Sequence, residues 1–239
     1  MIGPIVNGAA LVCGSLAGAL LRDRIPENLR NRMPLVFGCA SMGMGAVMIV
    51  KVRFLPAAVL SLLVGYLLGE LMHLDSGIQK VAGALRQVME RAVKGAPNEL
   101  SHEEYLERFI AVLVLFCASG TGIFGALNEG MTGDASLLIA KAFLDLFTAV
   151  IFGATLGLPV AALALPQFAI QGALFFGAST IYPMTTPAML ADFSAVGGMI
   201  MLATGFRICG IVSFPVAGML PALVLVMPVS ALWSHYFVR

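Results

Sequence analysis

Lys141 and Asp145 stand four residues apart inside an apolar stretch, where on a helix they share one face and neutralise each other. A charge within a membrane span costs at least about 2.5 to 3.5 kcal/mol and persists only when paired or turned toward a cavity. The pair therefore reads as facing the interior, as a structural clasp or as a site. Asp192 obeys the same logic: it precedes Phe193, Ser194 and the pair Gly197 and Gly198 near the start of another apolar stretch. As a lone intramembrane carboxylate it is the leading single candidate for ion or proton coupling. The competing reading is an acid in a first helical turn, stabilised by the helix dipole. Glu70, near the end of a third apolar stretch, reads as snorkelling toward the interface.

The densest run of small and polar residues extends from Cys117 to Asp134 and contains five glycines. Glycine weakens a helix, and an unwound turn at Ser119, Gly120, Thr121 and Gly122 would expose backbone carbonyls and amides together with two hydroxyls. Transporters commonly build a midplane binding site from such broken helices. Asn128 and Glu129 fall nearer the end of the run, either as further ligands or as the turn closing a helix. Cys13, Cys39, Cys117 and Cys209 have no CxxC spacing and no nearby histidine, so they read as packing residues rather than a metal site. His73, His102 and His235 sit near span boundaries without an HExxH or GxSxG pattern, and Gly130-Met-Thr-Gly-Asp134 departs from the Gly-x-Gly-Asp of intramembrane aspartyl proteases. Neither an enzyme nor a cofactor is expected.

Those residues need a membrane bundle to hold them. Of 239 residues, 59% are hydrophobic and 11% charged, against about 25% charged in an ordinary soluble domain. The net charge of +1 offers no field for nucleic acid. Apolar runs of spanning length lie near 2–21, 34–50, 54–74, 105–127, 134–157, 159–182, 187–206 and 211–235. They predict an all-α, polytopic bundle of about eight transmembrane helices forming a single domain. Pro215, Pro221 and Pro228 are placed to break the last run into a half-helix or re-entrant piece. Residues 77–94 alternate apolar and basic positions at helical spacing, a surface amphipathic helix. Ser101 with Glu104 forms a capping box, and Asp134 and Thr186-Pro187 are further helix-start signals.

Residues 2–21 are uncharged and Arg22, Arg24, Arg30 and Arg32 follow them, the reverse of a signal peptide. With those arginines, the basic 77–94 segment, Arg108 and Arg207 on the cytoplasmic side, eight spans place both termini outside the cytoplasm. Phe37-Gly-Cys-Ala-Ser41 echoes Phe116-Cys-Ala-Ser119, and Asn7-Gly-Ala-Ala echoes Gln171-Gly-Ala-Leu, five spans on. These suggest internal repeats, the second of them inverted. Gly14 with Gly18, Gly65 with Gly69 and Gly153 with Gly157 fit close helix packing within the bundle or between subunits, and a homo-oligomer is the expectation.

The strings VLFCASGTGIFGALNEGMTGD, LLIAKAFLDLFTAVIF, TTPAMLADFSAVGGMIMLATGFRICGI and IPENLRNRMPLVFGCASMGMG resemble the bacterial inner-membrane family represented by the uncharacterised proteins YqgA and YdfK. The resemblance covers essentially the whole chain. It implies a multipass protein of the bacterial cytoplasmic membrane and assigns no substrate or catalytic residue. Glycine-interrupted spans and interior charges favour a secondary transporter or channel for a small solute or ion, bathed in membrane lipids. The alternative is a non-transporting scaffold whose basic helix 77–94 docks partners or lipid headgroups.

Overall fold

A computed structural model describes residues 1–74, 76–77, 80, 102–117 and 119–237. Among them every regular element is helical: α1 Ile2–Leu20, α2 Glu27–Ile49, α3 Leu55–Leu71, α4 His102–Cys117, α5 Gly120–Thr132, α6 Ser136–Leu156, α7 Ala164–Ile181, α8 Pro187–Ile208, α9 Val216–Met219 and α10 Pro221–Phe237. Six helical stretches of the described residues are long and apolar enough to cross a bilayer, and the shorter apolar α3 is a seventh apolar helix. The remaining apolar run, 105–127, is a discontinuous pair, α4 followed by α5. Each run read from the sequence thus falls on helix. The amphipathic segment 77–94 and the capping residue Ser101 lie outside the described residues, apart from Gly77 and Lys80.

Local chemistry sets the boundaries. Thr186 Oγ1 accepts from the Met189 amide at 3.3 Å with Pro187 in the first turn of α8, so that helix starts where its cap residues stand. Asp134 Oδ1 accepts from the Ser136 amide at 2.9 Å as α6 begins. Hydrogen bonding to Ser136 first, and the charge of Lys51 more weakly, hold the Asp134 carboxyl below its ordinary range. That cap contributes at neutral pH and is lost as the pH falls through the lowered pKa. Gly133, at φ 76°, closes α5 by donating to the Glu129 carbonyl. A 3-10 segment, Leu158–Leu163, precedes α7; Pro215 precedes α9 and Pro221 opens α10, whereas Pro228, expected as a further break, lies within α10 without ending it.

Small residues decide the packing. α1 and α6 run side by side in one direction, with Gly3 over Leu138 and Gly14 over Leu146 and Ala149. α2 and α8 are antiparallel: a Cβ on Gly198 would stand 2.6 Å from the Gly45 carbonyl oxygen, and one on Gly205 would stand 2.6 Å from that of Gly38. α3 meets the last span through Gly65 against Ala222 and Gly69 against Gly218. The glycine pairs 14/18 and 65/69, together with Gly153, are therefore used inside the subunit, where backbones approach in contact. α8 is the most enclosed span, with 72% of its apolar window buried. Large apolar side chains such as Leu63, Phe143, Leu165, Phe176 and Val224 point outward, as lipid-facing residues must.

The α2–α8 contact gives a direct test. Gly198→Ala puts a methyl into the backbone of Gly45, which cannot move without separating the helices, at a cost of about 1 to 3 kcal/mol. Gly43 has nothing within 4 Å, and Gly43→Ala should be neutral or stabilising by about 0.5 to 1 kcal/mol. Thermal unfolding in detergent should move to lower temperature for Gly198→Ala and not for Gly43→Ala; equal shifts would contradict this packing.

Candidate functional site

The break between α4 and α5 follows from Ser119-Gly-Thr-Gly122. Ser119 takes an extended backbone at ψ 126°, and its hydroxyl accepts from the Gly122 amide at 3.4 Å. It thus caps a new helix inside the bundle, where a continuous helix would need no cap. α5 is a half-helix whose N-terminal, electropositive end lies in the protein interior.

That end meets the charged face of α6. Lys141, 3% exposed, donates to Asp145, 7% exposed, and the two form a buried ion pair near the middle of α6. Gln167 of α7 donates through Nε2 to Asp145 Oδ2 at 2.8 Å. A Cβ on Gly122 would lie 2.9 Å from Lys141 Cε and 3.3 Å from Gln171 Nε2, so the lysine stem and the Gln171 amide both overlie the first turn of α5. Five buried polar atoms find no hydrogen-bond partner among the described residues: both amide atoms of Asn7, both of Gln171, and Oε1 of Gln167. Each such atom costs about 1 to 3 kcal/mol if left dry.

A cavity of about 190 Å³ opens beside the pair. Its polar lining is Ser41, Ser119, Thr121, Lys141, Asp145 and Thr148, and Pro34, Phe37, Leu144 and Phe152 supply apolar wall. The Ser41 and Thr121 hydroxyls are 3.5 Å apart, and Ser41 also donates to the Met201 carbonyl at 3.0 Å. A second cavity, of about 310 Å³, shares Pro34, Phe37, Thr148 and Phe152 with the first and extends past Thr155 to Arg108. One stripe of α6, through 141, 145, 148, 152 and 155, lines both chambers, while Ala149 and Gly153 face α1.

The structure brings together Ser119, Gly120, Thr121, Gly122, Lys141 and Asp145, and positions the other candidates elsewhere. Asp192 is fully buried at the start of α3, where Oδ1 accepts from the amides of Arg53 at 2.7 Å and Phe54 at 2.8 Å while Ser230 donates to Oδ2 at 2.7 Å. Glu129 serves α1 in the same way: Oε1 accepts from the Ile2 amide at 2.7 Å, Oε2 from the Gly3 amide at 3.0 Å, and the terminal ammonium of Met1 is 3.2 Å away. Asn128 donates weakly to Thr132 Oγ1 and to the Asp134 carbonyl, both at 3.4 Å, tying the end of α5. Ser194 is buried on α8, Gly197 packs on the Phe124 ring and Gly198 on Gly45. Sequence reasoning assigned no site role to Thr148, Gln167 or Asn7. The available signal was a polar residue inside an apolar span, and for Thr148 its place three residues after Asp145.

These features define a polytopic helical membrane protein with a buried ion pair beside a partly open, largely apolar cavity. The chain belongs to the family described as "Protein of unknown function (DUF554)", whose pattern matches residues 2–231. It is 50% identical over 237 residues to "Uncharacterized protein YqgA" of Escherichia coli (strain K12), covering 99% of both chains. It is 26% identical over 243 residues to "Uncharacterized membrane protein YdfK" of Bacillus subtilis (strain 168), covering 99% of this chain and 98% of that one. No solved structure matches it.

Because Asp192 is fully buried and accepts from two backbone amides and the buried Ser230 hydroxyl, Asp192→Ala should destabilise the bundle by about 1 to 3 kcal/mol. Asp192→Asn, which retains an oxygen for the amides but presents an NH2 to Ser230, should cost less. Thermal unfolding of the three proteins ranks them, and an Asp192→Ala protein as stable as wild type would refute the anchoring role.

Proposed function

We propose that this protein moves a small polar solute or ion across the bacterial cytoplasmic membrane, as a secondary transporter or channel. One observation carries the reading: the break between α4 and α5 opens onto an interior cavity that contains a buried ion pair and adjoins a chamber reaching Arg108. Structural clasps need no cavity beside them, and broken spans with uncapped polar groups around a chamber are how membrane proteins bind a solute in hydrocarbon. The proposal includes an orientation with Arg22, Arg24, Lys80, Arg108 and Arg207 toward the cytoplasm and both termini outside, on the strength of the bias in basic residues. The apolar wall and the small volume favour solutes of a few heavy atoms.

The test is flux into proteoliposomes, with monovalent cations, halides and small organic acids assayed singly as probes. At least one class should cross faster than through protein-free liposomes. Thr148, at the wall common to both chambers, is where a plug acts: Thr148→Phe should cut that flux by at least about tenfold. The outward-facing substitution Val224→Phe should leave it unchanged. If no probe crosses, or if Thr148→Phe is silent, the transport reading is wrong.

A further inference from the structure

Resting on that transport reading, we infer that the chamber binds a small monocarboxylate as its anion, which takes Lys141 from Asp145 while Asp145 accepts a proton. Four independent features converge on the anion. The N-terminus of the half-helix α5 faces the chamber, and the backbone amides of its first turn precede any intrahelical acceptor. Above that turn lie the Lys141 stem and Gln171, a residue 3% exposed whose Nε2 has no partner among the described residues. Thr121 adds a hydroxyl, while those of Ser41 and Thr148 donate to the Met201 and Leu144 carbonyls. Arg108 lines the adjoining second chamber. A monovalent cation would find one carboxylate, already engaged by Lys141 and Gln167, and the positive end of a helix opposing it.

The charge count selects the stoichiometry. Lys141 and Asp145 are neutral together, and an anion added alone would leave a net negative charge in a low-dielectric interior. Taking one proton from the medium restores neutrality: the Lys141 ammonium releases the Asp145 carboxylate and bonds the incoming carboxylate, and Asp145 becomes a carboxylic acid. No covalent bond other than that O–H forms or breaks. Gln167 can then turn its amide so that its oxygen accepts the new O–H. The groups facing the pair are Cys117 of α4, which feels both charges, Gln167 and Gln171 of α7, Ser41 of α2, and Thr121 of α5. The apolar wall of Phe37, Leu144 and Phe152 suits a short carbon chain better than a halide.

The experiment is calorimetric titration of the full chain in detergent with sodium formate and sodium pyruvate, at one pH, in two buffers of different ionisation enthalpy. The expected result is saturable binding with one proton taken up per anion. Asp145→Asn should still bind, with no proton uptake. The double variant Lys141→Gln/Asp145→Asn leaves no lone buried charge. It should elute as wild type and bind at least about tenfold more weakly. Absence of saturable binding by either probe overturns the inference, as does proton release in place of uptake, saturable binding of sodium or potassium chloride in place of the carboxylates, or undiminished binding by the double variant. Flux of some other solute in liposomes without carboxylate binding would refute this inference and leave transport standing. Carboxylate binding by a chain that moves nothing would do the reverse.

Discussion

The first amides of a helix have no intrahelical acceptor, and two helices of this bundle meet theirs with buried carboxylates sent from far along the chain. Glu129 reaches the first amides of α1 across 127 residues of sequence, and Asp192 reaches those preceding α3 across 139. Each bond set fixes where a helix begins relative to a distant one. The consequence runs inward. With α1 held at its start, Gly3, Gly14 and Gly18 are pressed on α6, and α6 must then turn Lys141, Asp145 and Thr148 away from α1 and into the chamber. The site's orientation thus depends on an anchor that is not part of it.

Three acidic side chains are buried among the described residues, and their partners separate them. Glu129 and Asp192 bond chiefly to backbone amides, which have one geometry and no means of leaving. Asp145 bonds to side chains: an ammonium on a flexible four-carbon stem and a glutamine amide that can rotate. Of the three, Asp145 alone is held entirely by side chains among the partners described. It also lines a cavity.

How much of the fold and the site was legible in the sequence depends on the range of each interaction. The spans are set by local composition, and all eight apolar runs land on helix. The pairing of Lys141 with Asp145 is set by helical spacing, and the weakness of the helix at Ser119 to Gly122 by local glycine content, so both were readable. The exact start of α2 at Glu27 was hidden because the arginines of its first turns lower the apparent hydropathy. The engagement of Asp192 was not readable, since Arg53, Phe54 and Ser230 lie far from it in sequence and no periodicity links them. Gln167 and Gln171 escaped because an uncharged amide barely disturbs an apolar run, although once buried without a partner it is as informative as a charge.

Spacing of i and i+4 also explains how a polar site can be delivered into a membrane before its solute exists there. A single lysine or a single aspartate at this depth carries the full insertion cost, whereas the pair enters as a neutral unit on one helix face. Once the bundle closes, the same neutrality is a constraint on the proposed exchange, in which a solute replaces one partner and a proton compensates the other. In the proposed exchange the half-helix α5 would help, because its electropositive end lies under the Lys141 stem and its first turn is glycine-rich. A site built this way discriminates first by charge and only then by shape, since the chamber wall is apolar except where the pair, the hydroxyls and the helix start converge.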